Sequence, residues 1–113
     1  MSVTQHWRKS RLYRIWKMLV IRRDKKCRCC GDRKGRHAHH IKSAAYYPEL
    51  RFVVSNGITL CDFCHMFIHT KIAPSYRHKA TEQHLNALMG MKRQMIALRR
   101  ARKRALKKIE LRL

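Results

Sequence analysis

The sequence predicts a small α+β domain in which two short strands and a helix are held by a cysteine knuckle and flanked by basic helices. Three observations carry that prediction. Two C-x-x-C pairs, Cys27/Cys30 and Cys61/Cys64, bracket the centre of a chain of 113 residues, and this is the spacing with which thiolate pairs grip one zinc ion from tight turns. Short β-branched and extended segments lie between the pairs, whereas apolar residues at helical spacing lie outside them. The length allows one domain with a modest core, which a metal staple would stabilise.

The first element is a helix over residues 4–23, TQHWRKSRLYRIWKMLVIRR, with Leu12, Ile15, Trp16 and Leu19 as its apolar stripe. Residues 24–36 carry two glycines around Cys27 and Cys30, so the helix ends in a knuckle, and Gly31 suits the tight turn. His37 to Ile41 predicts a short strand, and SAAYYPELRF an irregular loop broken by Pro48. RFVVSNGITL holds β-branched residues around the Asn56-Gly57 turn signal, which predicts strand, loop, strand. CDFCHMFIHTK then predicts a helix stopping before Pro74, followed by a loop, IAPSYRHKA. Thr81 caps a last helix running to the end of the sequence, weakened at Gly90.

Lys and Arg number 28 against 6 Asp and Glu, a net charge of +22. That field suits a polyphosphate partner. No run of about 18 apolar residues offers a membrane span, and no lipidation signal is present. The start, MSVTQHWRKSRLYR, lacks the order of a secretory signal, so an intracellular, cytoplasmic place is expected. Five cysteines in a reducing compartment favour ligation or free thiols over disulfides.

Cys27, Cys30, Cys61 and Cys64 together make a closed four-thiolate site for a structural Zn²⁺. Cys29 is left over, although a Cys27/Cys29 pairing is open, and His65 is an alternative to one cysteine. His39 and His40 are adjacent on an extended segment and so point to opposite faces. One of them can join His65 on a metal while the other serves as a general base beside it. His65 and His69, four apart, share one helix face. His6, His37, His78 and His84 are expected to be solvated.

The succession AHHI (38–41), YPELRF (47–52), NGITLC (56–61) and CH-x-x-x-H (64–69) resembles the HNH endonuclease family, in the zinc-stapled branch common among bacteriophage and bacterial nucleases. The resemblance runs from about Trp16 to His69. It implies a ββα-metal (His-Me finger) core, with a nuclease domain over residues 1–80 and a basic helical extension over residues 81–113. It implies that His39 is the first ligand of a catalytic divalent metal (Mg²⁺, Mn²⁺, Ni²⁺ or Zn²⁺) and His40 the general base. Asn56 then holds the long loop that orients the base, and His65 is the second metal ligand. His69 either completes the metal site or contacts the scissile phosphate. The implied partner is DNA in a bacterial host cell, cut by a monomer or a homodimer, with homing, packaging, replication and host-DNA degradation as open roles.

From Lys92 to Arg112 ten basic residues face one acid. Arg99, Arg100, Arg102, Lys103, Arg104, Lys107 and Lys108 are therefore the expected contacts to DNA phosphates. Leu88, Met91, Met95, Leu98, Ala105 and Ile109 form a partial stripe interrupted by Arg102, which suits packing on the domain, a DNA-contacting tail, or a dimer seam. The alternative to a nuclease is a noncatalytic zinc module that binds nucleic acid through the same surface. His39, His40, Asn56, His65 and His69 separate the two, because a pure binder has no use for a base beside an open metal position.

Overall fold

A computed structural model describes residues 3–72 and 81–111. A 3-10 helix, Val3–Lys9, leads into α1 (Arg11–Asp24). The single helix predicted from residue 4 is broken at Ser10. Its hydroxyl oxygen accepts from Tyr13 N at 3.1 Å and its hydrogen goes to Trp7 O at 2.7 Å, which makes Ser10 an N-cap that starts a new helix.

The predicted stripe on α1 is also displaced. Trp16, Val20 and Asp24 are buried, whereas Leu12, Ile15 and Leu19 are exposed. At about 100° per residue, the buried face lies roughly a quarter-turn from the expected one. Hydrogen bonds that apolar spacing does not register fix the rotation. Trp16 Nε1 donates to Val53 O at 2.8 Å, and Arg23 donates to Val54 O at 3.0 Å and Gly57 O at 2.6 Å.

The two strands, β1 (Arg36–His40) and β2 (Gly57–Cys61), pair antiparallel with His39 opposite Ile58 and His40 opposite Gly57. Asn56-Gly57 is not a hairpin turn, in contrast to the sequence expectation. Val54–Asn56 is a 3-10 turn, and Gly57 opens β2 with an extended φ of −118°. A side chain at Gly57 would collide with Val20 and Trp16, so the glycine lets α1 press against the sheet.

β2 passes directly into α2 (Asp62–Phe67), continued by a π-helical turn, Ile68–Ile72. The expected stop before Pro74, the loop reaching residue 80, His78 and the 80/81 domain boundary lie outside the described residues. The C-terminal helix is two helices, α3 (Thr81–Gly90) and α4 (Lys92–Leu111), with Met91 N turned to Leu88 O at 2.9 Å. Gly90, the weakest helix former of that stretch, sits at the break. Leu85, Leu88 and Met95 join Leu60, Ile68 and the cysteines in one core, while Leu98, Leu106 and Ile109 are exposed. The result is a small mixed α/β chain with a two-stranded sheet and its cysteines close together. No described helix is long and apolar enough to cross a membrane.

Asp24 joins these parts. Its buried carboxylate accepts from Arg23 at 2.9 Å and from the β2 backbone at Thr59 N, also at 2.9 Å. Burial works to raise its pKa, but the hydrogen bonds from Arg23 and Thr59 outweigh it and hold the group below its ordinary 3.8. A depressed folded-state pKa contributes stability above the unfolded value, and the contribution is lost as the pH falls. Asp24→Ala should therefore destabilise by about 2–3 kcal/mol at neutral pH, with the gap to wild type closing below about pH 4. Urea titrations at pH 7 and pH 3 measure this, and an equal gap at both would show that the charge contributes nothing.

Candidate metal centre and histidine cleft

The sulfurs of Cys27, Cys30, Cys61 and Cys64 all lie within 4.8 Å of one another, with Cys30 and Cys61 at 3.5 Å. Thiolates around a tetrahedral zinc at about 2.3 Å stand about 3.8 Å apart, so the set fits that ion. The two pairs are built alike. Cys30 N–H points at Cys27 Sγ at 3.4 Å, and Cys64 N–H at Cys61 Sγ at 3.5 Å. Cys27 N donates to Asp32 O at 2.8 Å and Gly31 N to Cys27 O at 3.0 Å. Gly31 has a φ of 85°, the left-handed backbone this turn requires.

Electrostatics point the same way. Thiol hydrogens from Cys30, Cys61 and Cys64 hold Cys27 far below the ordinary thiol range. Cys64 is pushed up because Cys27, Cys29, Cys30 and Cys61 compete for its hydrogen. Four thiolates this close cannot all form without a cation among them. A buried site of soft donors with no polar residue in the set suits a metal such as zinc.

Cys29 Sγ stands outside the set, buried and 3.9 Å from Leu88 O, so the structure builds the Cys27/Cys30 pair. α4 locks the knuckle from outside. Arg99 Nε donates to Cys30 O at 2.8 Å, the Arg102 guanidinium lies 3.6 Å over the Phe63 ring, and Lys103 Nζ is 3.8 Å from Asp32. Of the seven cations expected on DNA, these three make intramolecular contacts, while Arg100, Arg104, Lys107 and Lys108 are exposed.

A cleft of about 620 Å³ is lined by His37, His39, His40, His65 and His69 together with Trp7, Arg8 and Tyr13. β1 sends its consecutive histidines to opposite sides, as an extended backbone must. His39 faces His65 with ring centroids 5.3 Å apart. His40 stacks on Trp16 at 4.1 Å and 9°, inside a cage completed by Tyr13 and Trp7.

His65 and His69, one turn apart, bring their Nε2 atoms to 3.2 Å. Burial, then His69 and His37, lower the His65 pKa to about 4, so its ring is neutral at physiological pH. Burial and His84 lower that of His69. His39, His65 and His69 are more loosely gathered than the cysteines, which are the one set among the described residues whose donor atoms all fall within 4.8 Å.

His40 Nε2 is 2.9 Å from Arg51 O. A carbonyl can only accept, so Nε2 carries the hydrogen and the neutral ring keeps its lone pair on Nδ1. Burial lowers the His40 pKa, with Arg8 and Arg51 adding to the effect against the Arg51 carbonyl.

Asn56 is buried at the base of the long loop. Its Oδ1 accepts from Lys42 N at 2.8 Å, and Nδ2 donates to Lys42 O at 3.1 Å and Leu50 O at 3.2 Å. These bonds fix both ends of the loop that carries Arg51.

His37 is not merely solvated. Its Nε2 bonds Asp62 Oδ1 and its ring lies 5.5 Å from His65. The signal for this is its two-residue offset from His39, which on a strand puts both on one face. Comparison with protein-family models, curated proteins and solved structures finds no match to this chain.

Proposed function

We propose that the chain is a metal-dependent DNA endonuclease of the HNH type, with β1, β2 and α2 as a ββα-metal core. One juxtaposition supports the reading. Neighbouring residues of β1 present an imidazole to the His65/His69 pair on one side and, on the other, an imidazole whose lone pair is fixed by the Arg51 carbonyl.

His39, His65 and His69 are the residues that would hold a catalytic ion. The 3.2 Å between the Nε2 atoms of His65 and His69 is close to the roughly 3.3 Å separating two imidazole nitrogens about 2.0–2.1 Å from one tetrahedral ion. Such an ion supplies Lewis acidity to the departing oxygen. Imidazole donors suit Zn²⁺ or Ni²⁺ better than Mg²⁺. His40 Nδ1 takes the proton of the attacking water, and its Nε2–H to Arg51 O keeps the ring from turning. Asn56 acts through the loop: by tying Lys42 and Leu50 it keeps the Arg51 carbonyl under the base. The exposed cations Arg100, Arg104, Lys107 and Lys108 of α4 contact phosphates without reading sequence.

Supercoiled plasmid incubated with the protein and Mg²⁺, Mn²⁺, Ni²⁺ or Zn²⁺ tests the proposal. Nicked or linear product with at least one ion, abolished by chelation and restored by that ion, is expected. Retained DNA binding without cleavage under any ion would favour the noncatalytic zinc module instead.

A further inference from the structure

The α4 cations do not exhaust the positive surface of the molecule. Between residues 25 and 36 the knuckle exposes Lys25, Lys26, Arg28, Arg33, Lys34 and Arg36. Its single acid, Asp32, is turned inward to Lys103 and to the backbone N–H of Lys34. Arg28 also pairs with the buried Asp24 at 3.4 Å, but a zinc tetrathiolate carries only two negative charges, fewer than the five cations that remain, so neutralising the metal centre does not account for them.

The arc is also held in shape. Arg28 N donates to Thr59 O at 2.9 Å, and Arg36 donates to Lys25 O at 2.8 Å, joining its two ends. Gly31 and Gly35, with φ of 85° and 58°, bend the chain on either side of the exposed Arg33 and Lys34. Arg36 lines the histidine cleft, which makes the arc continuous with the site. A fixed row of cations leading into a cleft matches a line of phosphates better than a mobile tail does, because less side-chain and backbone freedom is lost on binding.

We propose that this basic rim of the cysteine knuckle is a backbone-binding surface for duplex DNA, which guides the strand into the histidine cleft. The partner follows from the nuclease reading, on which the proposal rests, and the location follows from the knuckle itself. The metal then has a second role, since it sets the shape of the arc that meets the phosphates.

The test uses the full chain with zinc bound and a fluorescent 20-base-pair duplex of arbitrary sequence, titrated across a salt series. Lys26→Gln, Arg33→Gln and Lys34→Gln together should flatten log K against log salt by about 2–3, roughly 0.9 for each phosphate that is no longer neutralised. Zinc content should stay at the wild-type level. The double variant Arg11→Gln/Arg14→Gln, on the exposed side of α1, should change the slope by less than about 0.5.

An unchanged slope in the triple variant overturns the proposal, as does an equal loss per charge in the α1 control. If the wild type binds DNA with the predicted slopes but cuts no plasmid with any ion, the rim stands and the nuclease reading falls. If the wild type does not bind the duplex, both fall.

Discussion

Cys64→Ser is expected to lose the zinc and most of the thermal stability of the protein, whereas Cys29→Ala is expected to keep both. The two cysteines are buried to the same degree, at 0% and 1% exposure, so burial alone predicts similar costs for removing them. Geometry separates them: Cys64 is one of four sulfurs within 4.8 Å, and Cys29 is not. Binding free energy at a structural metal site is largely folding free energy. A loss of about 3 kcal/mol or more should lower the melting temperature by roughly 13 °C or more, at an unfolding entropy of about 2.1 cal/mol/K per residue. Metal analysis should give one structural zinc per chain for wild type and Cys29→Ala and none for Cys64→Ser. Full zinc with an unchanged melting curve in Cys64→Ser would refute the four-cysteine site, and loss of zinc in Cys29→Ala would reassign it.

The cysteine spacing was legible because it is a local constraint. C-x-x-C closes a turn by itself, and the knuckle hydrogen bonds at Cys27 and Cys61 follow from that turn. Opposed faces for His39 and His40 needed only an extended backbone. What could not be read depended on partners distant in sequence. The rotation of α1 is set by Trp16 and Arg23 reaching residues more than thirty positions away. The division of the α4 cations is set by the knuckle, since Arg99 meets Cys30 and Arg102 meets Phe63 only once the helix has docked. In sequence those residues differ in nothing from Arg100 or Arg104. Gly57 looked like half of an Asn-Gly turn because a close helix crossing leaves the same residue type as a positive φ does.

His40→Ala is the variant on which the catalytic assignment turns. Loss of a positioned base is expected to cost about 10²–10⁴-fold in cleavage. DNA affinity and zinc content should remain at wild-type levels, because His40 stands apart from the four cysteines and its ring is enclosed by Trp7, Tyr13 and Trp16. That same cage means the substitution removes stacking as well, and a modest drop in melting temperature is expected. A damaged fold also stops cutting, so the contrast with His65→Ala carries the argument. His65 Nε2 lies 3.2 Å from His69 Nε2, and removing it should abolish binding of a second divalent ion, measured by calorimetry on protein already loaded with zinc. His40→Ala should bind that ion as wild type does, and added imidazole should restore part of its cleavage. Near wild-type cleavage by His40→Ala would remove it from the mechanism. Loss of the second ion in His40→Ala, with retention in His39→Ala, would exchange the roles of the two histidines.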